Sequence, residues 1–347
     1  STAAPNVIAG SNDNSVVAGV AGATVTGGRE NTVSGSTTKY ATVGGGSSND
    51  AMGFATTVGG GYGNAAGADY ATVGGGQFNQ ATDKRSTVSG GGYNAVTDIY
   101  AAVGGGGWNT ASARFSTVGG GQSNTAGAWH ATVSGGGDNQ VNADYATVSG
   151  GKENNVSAGY ATVGGGSLNQ VGANATYATV GGGYDNEATG NSATIPGGKE
   201  AKASLWGQMA YAAGHFEALG DAQASLYVLR NVTGGSWAAT QSLALDGGSK
   251  YLTLSDTRTL TFDALIVARS SGGDSAGYRA EGVIENVSGS TSLIGTPTVT
   301  TLGKDIEAWD VSITVDDTED ALMIKVTGDD TTEVRWVATV RTTEVAW

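Results

Sequence analysis

Valine returns every fifteen residues through the first half of this chain, and that period decides what the chain can become. Val43, Val58, Val73, Val88, Val103, Val118, Val133, Val148 and Val163 stand 15 residues apart. Val180 and Ile195 follow after 17 and 15 residues, and Ile8 and Val25 continue the series upstream. The sixth place after each anchor is asparagine: Asn14, Asn31, Asn49, Asn64, Asn79, Asn94, Asn109, Asn124, Asn139, Asn154, Asn169 and Asn186. The eighth is often Ala or Val, as at Ala51, Ala66, Val96, Val141 and Val171. A fixed period of this kind marks a solenoid. The pattern is expected to stop after Ile195, where Pro196 and Ala201 stand in place of Gly and Asn.

Each place in the period has a physical reading. In Tyr70-Ala71-Thr72-Val73, alternate residues face opposite sides of a strand, so Ala and Val point inward and Tyr and Thr outward. The Gly-Gly-Gly that follows turns the chain through conformations costly for residues with a Cβ. Stacked Asn side chains can bond to one another along the axis. Three successive glycines would cost a helix roughly 3 kcal/mol, so a helical reading fails. A coil this short buries little on its own and should lean on neighbours. About a dozen coils at ~4.8 Å each would give a rod of roughly 55–60 Å.

The motif Ala-Thr-Val-Gly-Gly-Gly-x-x-Asn-x-Ala-x-Gly-x-Tyr resembles the head repeat of trimeric autotransporter adhesins, the YadA-like repeat, and similar repeats of bacteriophage tail fibres. The resemblance covers residues 7–198. It implies an all-β fold, a left-handed parallel β-roll of about 12 coils packed as a homotrimer. The coil here is mostly 15 residues, a residue longer than the adhesin repeat.

Glycine thins out along the chain, which suggests a change of architecture near residue 200. Residues 199–220 read as a neck, whose Trp206, Met209, Tyr211 and Phe216 would anchor the end of the roll. Beyond it, strand-like runs separated by turns include 224–232, 250–254, 258–268, 278–287, 298–302, 306–315, 321–326 and 333–345. They predict a C-terminal antiparallel β-sandwich or jelly roll. The expected division is therefore a shaft over 1–198, a neck over 199–220 and a knob over 221–347. Gly220-Asp221-Ala222-Gln223 with Val228-Leu229-Arg230, and the ending Arg335 to Arg341, resemble a C-terminal module of phage tail fibres, which implies a receptor-binding knob.

Composition excludes several functions. No cysteine is present, so disulfides and zinc–thiolate sites are absent. A net charge of −14 argues against nucleic acid and anionic membrane as partners. No apolar run approaches the ~20 residues that cross a bilayer, and Ser1 suggests processing or a longer parent chain.

Candidate sites follow from exposure and spacing. Phe78, Tyr93 and Trp108 share one turn position in three coils, an aromatic stripe for a glycan or for another chain. Trp237 lies in an apparent knob loop, and Tyr251 and Tyr278 are further receptor-binding candidates. Parity assigns Trp309 and Trp336 to the core. His130 sits in the aromatic column between Phe115 and Tyr145, a ring position rather than a catalytic one. His215 has no partner residues at catalytic or metal-ligand spacing. The outward Thr column, from Thr24 to Thr194, also fits an ice-binding face, though the bulky aromatic column beside it roughens that face. The glycine runs lack the Lys of a phosphate loop and the regular Asp of a calcium β-roll. Asp316, Asp317, Asp329 and Asp330 are weak candidates for calcium, against the commoner role of acidic turns that deter edge pairing. No cofactor is expected.

These readings predict a non-enzymatic trimeric tail fibre whose knob binds a host surface polysaccharide or protein receptor, joined to other tail or baseplate proteins and located on the virion. The alternatives are a bacterial surface adhesin, a polysaccharide-degrading tailspike and, last, an ice-binding protein.

Overall fold

The computed structural model describes residues 4–347 and divides into two compact units, Ser1–Ala173 and Asn174–Trp347. Among the described residues every regular element is a strand, and no helix is long and apolar enough to cross a membrane. The chain builds a parallel β-solenoid of about 14 turns and a C-terminal antiparallel sheet.

In the first unit each coil carries two strands of two residues. Around Val73 these are Thr72–Val73 and Gln80–Ala81. Thr72 pairs in parallel with Thr87 and Val73 with Val88 one coil on; Gln80 pairs with Ala95 and Ala81 with Val96. Parallel bridges through Tyr62, Gln77 and Gly92 add a third line of contact. Ala71, Val73, Asn79 and Ala81 are fully buried and Thr72 is not, as the pleat requires. Burying each valine contributes roughly 1.5–3 kcal/mol, small per coil but repeated along the stack.

Glycine permits the close stacking. Gly76 has φ +94°, and a Cβ there would lie 2.0 Å from the Gly91 carbonyl oxygen. No other residue fits that place.

Asparagine locks the turns. The Asn94 side-chain amide donates to Asn79 Oδ1 and to the carbonyls of Gly90 and Gly106, all at 3.0 Å. From Asn49 to Asn169, each backbone N–H donates to the side-chain oxygen of the Asn one coil earlier, through Asn64, Asn79, Asn94, Asn109, Asn124, Asn139 and Asn154. These amides are buried, so their hydrogen bonds are required rather than optional.

The second unit opens with further coils. Thr179–Val180 pairs in parallel with Thr194–Ile195, Glu187–Ala188 with Lys202–Ala203, and Thr194 with Met209. The expected stop after Ile195 is thus corrected. The Asn column needs a backbone N–H from the following coil, and Ala201 N donates to Asn186 Oδ1 at 3.0 Å as an asparagine would. Trp206, Met209, Tyr211 and Phe216, expected to anchor the end of the roll, are exposed.

Strand Met209–Ala212 changes the polarity of pairing. It runs parallel to Thr194 on one side and antiparallel to residues 223–226 on the other. The main sheet then runs Ala222–Thr233, Val334–Ala346, Arg258–Ser270, Ser275–Val287 and Ser290–Lys304. Pro297 is tolerated because Ser290–Lys304 pairs on one side only. In a smaller sheet Ala321–Thr327 pairs with Thr240–Ser242, Leu252–Thr253 and Asp310–Asp316. Leu229, Leu260, Ile266 and Ile284 of the main sheet share one core with Leu252, Leu322 and Ile324 of the smaller one.

Candidate functional site

Two columns of rings stand on the coils of the first unit. In the first, Tyr62, Phe78, Tyr93 and Trp108 follow one another with centroids 5.0, 5.2 and 5.2 Å apart. Gly63 makes room for it, since a Cβ there would lie 2.6 Å from the Phe78 ring. The last pair, Tyr93 and Trp108, is nearly parallel at 4°.

The second column is longer. Tyr100, Phe115, His130, Tyr145 and Tyr160 stack at 4.8–5.1 Å with planes within 11° of one another. Trp129 packs against His130 and Tyr145 from the side. Towards the start of the chain, the Arg85 guanidinium lies between Tyr70 and Tyr100, 5.5 and 5.3 Å from their centroids, and donates to the Tyr100 hydroxyl at 2.6 Å. Phe54 bridges Tyr40 and Tyr70 at 5.7 and 5.5 Å. His130 therefore occupies a ring position, as its place in the repeat predicts.

These rings sit on a costly backbone. Tyr40, Tyr70, Phe78, Tyr93, Tyr100, Trp108, Phe115, His130, Tyr145 and Tyr160 all have φ between 53 and 62°, the left-handed region in which a bulky residue is an outlier. Sequence reasoning missed this strain. For the first column, already read as a turn position, the signal for that backbone was the presence of Gly63, Ser123 and Asp138 at the same place; the second column was read as strand, and its residues carry no such signal.

In the second unit the knob candidates separate. Trp237 is exposed, in a turn closed by its N–H to the Gly234 carbonyl at 3.0 Å. Tyr251 is half-buried beside Trp206 and Leu245 in a shallow cleft of about 350 Å³. Tyr278 is a correction: it is fully buried, and its hydroxyl donates to the Trp309 carbonyl at 2.7 Å. Its place in the strand turns it towards the core, so it cannot meet a receptor. Trp309 and Trp336 are buried, and Trp336 Nε1 donates to Thr233 Oγ1 at 2.9 Å.

The acidic turns hold themselves. Asp316 Oδ1 accepts from the amides of Thr318 and Glu319, and Asp317 Oδ1 from that of Thr291. Asp329 Oδ1 accepts from the amide and hydroxyl of Thr331, which keep its carboxyl below the usual range. Asp330 follows in the same turn. Among the described residues no three His, Asp or Glu side chains gather as a metal-holding group. His215 does have a partner that spacing did not reveal, Glu200, with Nδ1 2.8 Å from its Oε2.

A cleft of about 590 Å³ in the second unit was also not foreseen. Glu344, Glu319, Asp320, Arg258 and Tyr227 line it. Glu344 is buried, pairs with Arg258 Nη1 at 2.6 Å and accepts from Thr342 Oγ1 at 2.7 Å and from Tyr227 at 3.3 Å. Burial first, and then the charge of Glu344, push the Tyr227 phenol far above its ordinary value.

No family model and no curated protein matches this sequence. Among solved structures, the chain is similar to a tailspike protein of Acinetobacter baumannii bacteriophage Fri1, described as a capsular polysaccharide depolymerase. The identity is 6%, covering 94% of this chain and 79% of that one, with a TM-score of 0.20. It is also similar to the tailspike protein of Acinetobacter phage vB_ApiP_P1, at 9% identity over 94% of this chain and 76% of that one, with a TM-score of 0.19. The expectation of a non-enzymatic chain is corrected here, because a solved structure that the chain is similar to is described as an enzyme. Neither likeness assigns a role to a residue of this chain.

Proposed function

We propose that the chain is a host-recognition protein of a phage tail, or of a phage-tail-like particle, that holds a cell-surface polysaccharide. The observation that carries this reading is the pair of exposed aromatic columns. Ten of these rings stand where the backbone costs roughly 1–3 kcal/mol, although Ser123 and Asp138 occupy the same kind of position in other coils. Ring stacking offsets part of that cost, at about 0.5–1.5 kcal/mol per pair. What remains displayed is apolar ring surface beside hydroxyls, the mixture that fits a carbohydrate. Assembly as a homotrimer, bound to other tail proteins, would triple the columns and convert weak sites into avidity.

The test is binding of the intact protein to an array of purified bacterial capsular polysaccharides, with native mass measured on the same sample. Retention of a polysaccharide by a trimer is the expected result; no retention from any capsule overturns the reading.

A second reading, in which the held polysaccharide is also cut, is favoured by the carboxylates gathered in the 590 Å³ cleft. Glycoside hydrolysis needs a pair of them about 5–10 Å apart. A fall in the viscosity of the retained polysaccharide, abolished by Asp320→Asn or Glu319→Gln, is the result that reading expects.

A further inference from the structure

The stacking that builds the first aromatic column uses up the faces of its rings, and it ends at Trp108. Tyr93 covers one face of that indole at 5.2 Å and 4°. The next coil offers no ring, because Ser123 stands at the same place. Trp108 is accordingly 58% exposed.

A second observation concerns the flank. The residue before the ring is Gln77 beside Phe78 and Gln122 beside Ser123, yet it is Gly92 beside Tyr93 and Gly107 beside Trp108, as it is again at Gly137 beside Asp138. Neither glycine has the left-handed backbone that favours glycine, and a Cβ at Gly107 would meet nothing closer than the Gly92 carbonyl at 3.6 Å. Neither backbone nor packing demands glycine at these two places. At Gly107 the glycine leaves no side chain next to the indole in sequence.

We infer that Trp108 is a shelf for one pyranose ring of the polysaccharide, stacked on the indole face that the column leaves open and approaching over Gly107. This inference rests on the recognition reading above and gives it a residue. The polar rim comes from the following coils: Ser123 stands one coil beyond Trp108, Gln122 bridges directly to Gly107, and Asp138 stands one coil further. Hydroxyl, amide and carboxylate are the groups that hydrogen-bond sugar hydroxyls. The partner Tyr93 fixes the indole in advance, so little ring motion remains to be lost on binding. Aromatic stacks also take nucleobases, but a chain of net charge −14 repels a phosphate backbone.

The experiment takes the intact protein and the capsular polysaccharide it retains most tightly on the array. Trp108→Ser copies the next coil's residue, Gly107→Gln copies the flank of Ser123, and Trp108→Tyr keeps a ring. At least tenfold weaker binding by Trp108→Ser and Gly107→Gln, with Trp108→Tyr within threefold of wild type, is expected at unchanged native mass and circular dichroism. Binding by both of the first two variants within twofold of wild type overturns the shelf and leaves the recognition reading standing. Absence of any polysaccharide binding by the wild type overturns the recognition reading, and the shelf with it. A changed native mass in Trp108→Ser overturns the shelf by assigning the ring to a contact between copies. Retention of single-stranded DNA in place of polysaccharide does so by changing the ligand class.

Discussion

Phe54 places its ring where Ala55 leaves the long aromatic column without one. Ala55 holds the position that Tyr40 and Tyr70 occupy in the neighbouring coils, and the preceding residue fills the gap with edge contacts to both. Phe54→Ala should therefore cost about 1–3 kcal/mol, two ring pairs at 0.5–1.5 each, read by urea unfolding. Adding Ala55→Tyr to that variant should recover most of the loss. No recovery would mean that the column is not continuous there.

Asn109→Ala should be among the most damaging single changes in the first unit. It strips the Asn124 backbone N–H and side-chain amide of a shared acceptor, and the carbonyls of Gly105 and Gly121 of a donor. Buried groups left without partners cost about 1–3 kcal/mol each. Loss of more than ~3 kcal/mol in denaturant unfolding is the expected outcome. Hydrogen exchange should show the damage spreading to adjacent coils, since each is held by its neighbours.

Two glycines at adjacent places of the repeat, Gly76 and Gly107, should respond in opposite ways to the same change. Gly76→Ala puts a Cβ 2.0 Å from a carbonyl oxygen at φ +94° and should prevent the native stacking, seen as loss of soluble folded protein. Gly107→Ala meets no obstacle and should shift the melting temperature by no more than a degree or two. Equal behaviour of the two would contradict the turn geometry.

Acid should weaken the second unit through Asp221. Burial pushes its carboxyl up, but amide donors from Ala218, Glu217 and Phe216 outweigh burial and hold it below its ordinary 3.8. A depressed folded value means that the stabilisation is full above the unfolded value and is lost as pH falls through the folded one. The window lies below about pH 4. Asp221→Asn should be less stable at neutral pH and should show a flatter stability profile between pH 4 and 2, by pH-dependent melting.

Glu344→Gln leaves the Arg258 guanidinium, itself largely buried, without its counter-charge. Breaking a buried pair from one side costs about 3–5 kcal/mol, so the antiparallel part should melt well before wild type. Replacing both, as Glu344→Leu with Arg258→Met, should recover much of that.

The solenoid was readable because a 15-residue period states its own geometry: the anchor valines, the Asn column and the glycine turns each follow from one repeating demand. Alternation likewise marked Trp309 and Trp336 as core. Other features left no such trace. Arg258 and Glu344 lie 86 residues apart and meet through sheet pairing that no local pattern encodes. Strand Thr240–Ser242 is three residues long, too short to show alternation. The coils beyond Ile195 were hidden because the asparagine stops one coil before the solenoid does: the backbone N–H of Ala201 still receives Asn186, a contact that leaves no mark in the sequence. Tyr278 was misplaced because its face is shared with the small residues Ala276 and Ala280, buried with it, which do not mark that face as the inward one.

A stack of parallel coils has no natural last member, for every end offers the same unpaired edge to the next copy. Met209–Ala212 supplies one. With a parallel neighbour on one side and an antiparallel neighbour on the other, it leaves its sheet no free C-terminal edge on which another coil, from this chain or from a stranger, can continue the series. At that end the last turn is written into the polypeptide rather than left to polymerisation, and a column of stacked strands that would otherwise extend like a fibril is stopped.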